Sequence, residues 1–183
     1  MKVELFPFQQ KARQKLRKFA DRAKRDFEED ATTQVISFTA PTGAGKTIMT
    51  AAFVESIYSG DENYPAQSDA IFVWLSDSPE LNQQSWKKFY FNADGVNPSQ
   101  LITIEDENFN QRIFDDGKIY FLNTQKLGKS SNLTKHSDSR QFTIWETLQN
   151  TILEKSEKLY FIIDEAHRCM KTGRATATAT TIM

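Results

Sequence analysis

The chain is nearly empty of the residues that build cross-links and metal clusters. It has one cysteine, Cys169, and two histidines, His136 and His167, among 183 residues. A lone cysteine makes no internal disulfide and supplies no zinc cluster. A reducing, cytoplasmic setting is therefore expected. No apolar run approaches the roughly 20 residues that cross a bilayer as a helix, so no membrane partner is expected. The start, MKVELFPFQQKARQKL, lacks the apolar stretch and small-residue cleavage site of a secretion signal. Charge of one sign is missing too. The net charge is −1 and the pI near 6.2, so bulk charge offers no argument for a nucleic-acid partner. What remains, 39% hydrophobic and 26% charged residues, is the composition of a single globular domain over 1–183 with a proper core.

The charge is uneven. Lys11, Arg13, Lys15, Arg17, Lys18, Arg22, Lys24 and Arg25 crowd one segment, while 104–116 is largely acidic. The basic run reads either as a solvated helix face or as a track for phosphates. Four short apolar runs, VISF (35–38), AIFVWL (70–75), IYFL (119–122) and LYFII (159–163), are nearly continuous. Strands with one wet face alternate, so continuous runs predict strands buried on both faces of a parallel sheet. LITI (101–104) is a fifth, weaker candidate.

Helices are expected between them. Phe8, Ala12, Leu16, Phe19, Ala23 and Phe27 define one apolar stripe, and 46–58 is apolar nearly all round, which predicts a buried helix. Ser78 and Pro79 form a start signal for a third helix. Residues 140–155 form a fourth, with Phe142, Trp145, Leu148 and Ile152 on one side. The alternation predicts an α/β fold, a three-layer parallel sheet with helices on both faces. Trp74 and Trp86 are expected in the core rather than as platforms for bases.

Ala40-Pro41-Thr42-Gly43-Ala44-Gly45-Lys46-Thr47 follows the phosphate-loop pattern, with alanine at its first glycine position. The physics survives that change. Gly43 and Gly45 permit the tight turn that aims successive backbone N–H groups of 42–47 at phosphates. The helix that follows adds the positive end of its dipole. Lys46 would reach the β- and γ-phosphates of ATP, and the Thr47 hydroxyl would hold Mg²⁺.

LYFIIDEAHR (159–168) supplies what a phosphate loop lacks. An apolar strand ends in two carboxylates at the edge where ligands of open α/β sheets bind. Asp164 is placed to hold Mg²⁺, and Glu165 is the candidate general base for an attacking water. His167 would sense the γ-phosphate or link the site to another segment.

APTGAGKT followed by DEAH resembles motifs I and II of superfamily 2 helicases and translocases of the DEAH type. The nearest pattern is the motor domain of type III restriction-enzyme Res subunits and related phage or bacterial helicases. The resemblance runs from about residue 5 to 170 and is specific in those two motifs. LFPFQQKA (5–12) is similar to the adenine-reading entry of such motors, where the Gln9 amide would read the adenine edge. The segment 72–89 resembles motif Ia, which touches the nucleic-acid backbone, and 119–129 the next strand with its Thr-Gln loop; Ser76 and Thr124 are candidate backbone contacts there. The fold implied is a RecA-like P-loop domain, and the function is ATP hydrolysis coupled to unwinding or translocation on nucleic acid, DNA rather than RNA.

The resemblance also implies a second RecA-like domain. The low-complexity tail RATATATTIM looks cut, and its Thr-Ala-Thr at 176–178 lies too close to His167 to be the next motif of such motors. These residues alone are expected to bind ATP, hydrolyse it poorly and, with an open sheet edge, tend to self-associate. Two other readings stay open. A nucleotide-sensing module that never hydrolyses would have no need of Glu165. A kinase would need an arginine-rich lid, and the only late arginines are Arg168 and Arg174.

Overall fold

Four of the five apolar runs become parallel strands in the computed structural model, which describes residues 1–107 and 109–166. They are β1 (Ile71–Ser76), β2 (Leu101–Thr103), β3 (Ile119–Asn123) and β4 (Leu159–Ile163), in the order β2-β3-β1-β4. The helices are α1 (Pro7–Asp30), α2 (Lys46–Ser59), α3 (Pro79–Asn92) and α4 (Ile144–Lys155). β1 is buried along its whole length and pairs with β3 on one edge and β4 on the other.

Successive β1 side chains enter different cores, as the pleat requires. Phe72 and Trp74 join Ala51, Val54, Ile57 and Phe89 on the side of α2 and α3. Ile71, Val73 and Leu75 join Tyr120, Leu122, Ile144 and Leu148 on the side of α4. The three-layer α/β expectation holds, with Trp74 in the core and edge-on to Phe89 at 5.4 Å. Helix α2 is buried as its composition predicts. Helix α3 starts at the expected signal, where the Leu81 N–H donates to Ser78 Oγ at 3.2 Å and Pro79 follows the cap.

Three expectations need correcting. VISF forms no strand: residues 31–40 carry neither helix nor ladder, and Val35 is 75% exposed. A strand exists only where a neighbouring edge takes its N–H and C=O groups. Residues 34–37 instead line a cleft of about 410 Å³ with Phe19, Arg22, Ala23 and Asp26 of α1.

The stripe on α1 is misplaced for a related reason. Phe8 and Phe19 are exposed, whereas Gln9, Arg17, Ala20 and Asp21 are buried. Polar anchors set the helix's rotation. Gln9 Nε2 donates to Ala44 O at 2.9 Å, and an Arg17 guanidinium nitrogen donates to Pro65 O at 2.7 Å while its carbon lies 4.9 Å from the Tyr64 ring centre. The basic run is otherwise mostly a solvated face, with Arg22–Asp26 and Lys24–Glu28 pairs one turn apart.

Helix α4 buries Ile144, Thr147, Leu148 and Thr151, while Ile152 is exposed. Thr147 Oγ1 donates to Gln111 O, and Thr151 Oγ1 accepts from Phe114 N–H at 3.0 Å. These hydroxyls satisfy the loop that enters β3, which has no ladder to do so.

Thr151→Val keeps the shape and leaves the buried Phe114 N–H without its acceptor. A loss of about 1–3 kcal/mol in urea unfolding is expected, the desolvation penalty of an unmade bond. An unchanged midpoint would show that water replaces the hydroxyl.

Candidate functional site

Because the strands run parallel, their carboxyl ends meet at one edge. Ser76 is in register with Asn123 and Leu75 with Ile163, so Asp164 emerges level with the end of β1. Its N–H donates to Leu75 O at 2.9 Å. The next residue, Glu165, has φ 53°, in the left-handed region that residues with a Cβ seldom adopt. The turn lets the Glu165 N–H donate to the Asp164 carboxylate. His167 lies outside the described residues.

The phosphate loop lies where α2 begins. Gly43 and Gly45 have φ 82° and 83°, and Ala44 N–H closes the turn on Pro41 O at 3.1 Å. Gly45 precedes the first helical residue, Lys46, so the open N–H groups of α2's first turn face the loop. A Cβ on Gly45 would meet Gln9 Nε2 at 2.8 Å, whereas one on Gly43 would meet nothing within 4 Å. Both glycines are called for by their left-handed φ; the amide end of Gln9 beside Gly45 is the tip of a flexible side chain, and Gly43 borders open space. Gln9 accepts from Phe6 N–H at 3.1 Å and donates to Ala44 O, tying the start of α1 to the loop. Exposed Phe6 and Phe8 stack beside it with ring centres 6.0 Å apart. Lys46 Nζ donates to Ala40 O at 3.2 Å, across its own loop. Thr42 is exposed at the turn.

Helix α3 joins the loop to the strand end, a role the sequence reading missed. Lys88 Nζ donates to Thr47 Oγ1 at 3.4 Å, and Ser85 Oγ donates to Asp164 Oδ2 at 3.4 Å. Burial and the Glu165 charge together outweigh the weaker opposing pull of the Lys88 charge on Asp164. Asn82 and Ser85 are buried on the side of α3 that also buries Phe89, and Lys88 follows Ser85 one turn on. Polar residues at core spacing were the available signal. At the same edge, Gln125 Nε2 donates to Asp77 O at 2.9 Å and links the loops after β3 and β1.

The family model described as type III restriction enzyme, res subunit, matches residues 2–182. The chain belongs to this family. A Res-family domain is a helicase-type, ATP-binding motor domain of RecA-like fold, and such domains typically use a nucleotide with Mg²⁺. Neither the curated proteins nor the solved structures contain a match.

This Res-family chain has the donors such a group needs. Among the described residues no cluster of three or more His, Cys, Asp or Glu is placed to hold a metal. Mg²⁺ does not need one, since it is commonly held by one or two carboxylates together with phosphate and water oxygens. Thr47 and Asp164 would supply the protein oxygens, each already held by a donor on α3, Lys88 Nζ and Ser85 Oγ respectively. Bound there, the ion would neutralise charge on phosphate oxygens. Among the described residues no helix is long and apolar enough to cross a membrane.

Asp164 is held above its ordinary value of 3.8, first by burial and then by the neighbouring Glu165 charge. Its folded form therefore binds a proton more readily than its unfolded form. Its contribution to stability should fall as pH rises from 3.8 through the folded pKa, and level off above it. Asp164→Asn should remove that fall. Urea unfolding of both proteins across acid to neutral pH checks it, and parallel profiles would refute it.

Proposed function

We propose that this domain binds ATP with Mg²⁺ and couples its hydrolysis to unwinding of, or movement along, nucleic acid, DNA rather than RNA. The observation that carries the reading is the junction on α3. Lys88 donates to Thr47 Oγ1 at 3.4 Å and Ser85, one turn earlier on the same helix, donates to Asp164 Oδ2 at 3.4 Å, which supports a site formed jointly by the glycine loop and the strand end.

The roles follow from chemistry. The N–H groups of 42–47 and the Lys46 ammonium hold the phosphates. Gln9, fixed on the loop by Ala44 O, presents its amide to the base. Glu165 takes the proton of the attacking water, and Asp164 stays ionised when a metal cation offsets the cost of its burial. His167 senses the γ-phosphate. Asp-Glu-Ala-His at 164–167 acts as the DEAH motif. Thr124 stands at the same edge and contacts the nucleic-acid backbone, whereas Ser76 is buried with its hydroxyl donating to Ser78 O and makes no such contact.

The domain works with a second RecA-like domain that supplies arginine to the transferring phosphoryl group. In related systems such an arginine is worth roughly 10³–10⁵ in rate. These 183 residues on their own should therefore turn over ATP near background, with or without DNA. Robust DNA-stimulated hydrolysis by this chain would refute that part. The outer edge of β4 has no partner strand among the described residues, which favours self-association.

The deciding experiment is calorimetric titration with a non-hydrolysable ATP analogue and Mg²⁺. Lys46→Ala should weaken binding roughly tenfold or more, the loss of a charge-assisted hydrogen bond. Equal affinity would place the phosphates elsewhere. With both domains present, Glu165→Gln should keep binding and stop turnover; continued turnover would mean that another group activates the water.

A further inference from the structure

All but one of the half-buried lysines among the described residues have a carboxylate or carbonyl partner. Lys24, Lys126, Lys155 and Lys158 each stand 2.5–3.7 Å from a carboxylate oxygen. Lys46 and Lys118 donate to the carbonyls of Ala40 and Ser99 at 3.2 and 2.9 Å. Lys88 is the exception. It is half-buried on α3, and its Nζ donates only to the neutral hydroxyl of Thr47, at 3.4 Å. We propose that Lys88 is a phosphate ligand supplied from outside the glycine loop, its ammonium placed for the phosphates of the bound nucleotide. The inference rests on the phosphate-loop reading and adds a second cation to it.

The physical case has three parts. Lys46 and Thr47 open α2, so Lys88 Nζ stands beside a first turn whose unpaired N–H groups carry the positive end of the helix dipole. That is a poor place for a cation unless an anion comes to lie between the two. The same N–H groups, with left-handed Gly43 and Gly45, form the cradle for such an anion. The second part is the donor count. An ammonium carries three N–H donors, and one hydrogen bond to Thr47 leaves two for phosphate oxygens. A hydroxyl also does less for a half-buried charge than an anionic acceptor does. The third part is placement. Ser85, one turn earlier, and Phe89, the next residue, are both buried, so the backbone beneath Lys88 is fixed and its flexible stem sets the reach.

A lysine that served only to hold Thr47 would behave differently. A neutral donor of similar reach would replace it, and its effect on nucleotide affinity would not depend on ionic strength. A phosphate ligand acts through charge, so its contribution is screened by salt and survives exchange for another cation. Loss of one charge-assisted hydrogen bond weakens binding about tenfold. Lys46 reaches the phosphates from α2 and Lys88 from α3, so a nucleotide held by both ties the two helices together.

The test uses the whole chain and a fluorescent ADP in the presence of EDTA, so that no metal contributes, at low and at high salt. Lys88→Met is close in shape, Lys88→Gln keeps a donor for Thr47 without the charge, and Lys88→Arg keeps the charge. Circular dichroism selects the folded variants, and either neutral one suffices. The neutral variants should bind ADP about tenfold more weakly than the parent chain at low salt, with a smaller loss at high salt. Lys88→Arg should stay within about threefold of the parent. Unchanged affinity in a folded neutral variant would overturn the proposal. So would a loss that salt does not diminish or that Lys88→Arg shares in full, since Lys88 would then only brace Thr47. Lys46→Ala, measured alongside, separates the two readings. If it is weakened and the neutral Lys88 variants are not, this inference alone fails. If it binds as the parent does, or the parent binds no ADP, the phosphate-loop reading fails and the role of Lys88 with it.

Discussion

The double pairing of β1 is the constraint from which the rest of the molecule follows. A strand with neighbours on both edges and a packed core on each face has no surface to give to water, so all six of its residues are buried. That burial orients β3 and β4 parallel to it and requires helices above and below. It also carries the ends of all three strands to one edge, where Ser76, Asn123 and Asp164 emerge. The site is thus a consequence of the sheet's polarity, because parallel strands deliver their carboxyl ends together.

At that edge the energetic problem is a charged group in a partly dry place. Asp164 is desolvated by the sheet end and repelled by Glu165, and α3 answers with a hydroxyl from Ser85 and a charge from Lys88. The same helix reaches Thr47 and so ties the phosphate loop to the strand. On the other side of the loop, Gln9 donates to Ala44 O beside Gly45, whose φ of 83° few residues with a Cβ adopt. The glycine loop is therefore braced by Gln9 of α1 and Lys88 of α3, residues remote from it in sequence.

Much of this was legible in the residues. Continuous apolar runs at 70–75 and 119–122 predict strands buried in a parallel sheet and become so, while 159–163 forms a parallel strand at the sheet's edge with its residues half-buried or exposed; the Ser78-Pro79 start is a local signal with a local cause. The glycines at 43 and 45 announce left-handed backbone that few other residues adopt. Where the reading went astray, the cause was non-local. VISF has a strand's composition, but the structure gives it no neighbouring edge, and composition does not reveal a partner. The buried sides of α1 and α4 were set by Arg17, Gln9, Thr147 and Thr151, whose polar atoms satisfy carbonyls and N–H groups of distant loops. An apolar periodicity alone ranks such residues as outward-facing.

The sequence by itself determined the class of fold, the phosphate loop and the carboxylate pair, because each is written in a short stretch whose chemistry is complete locally. Only the tertiary structure decided which side of each long helix turns inward and which side chains of α3 reach Thr47 and Asp164. Lys88 is separated from Thr47 by β1 and from Asp164 by most of the sheet. Its position depends on how α3 lies across the strand ends, and that packing arises only when α3 and the sheet bury their apolar faces together.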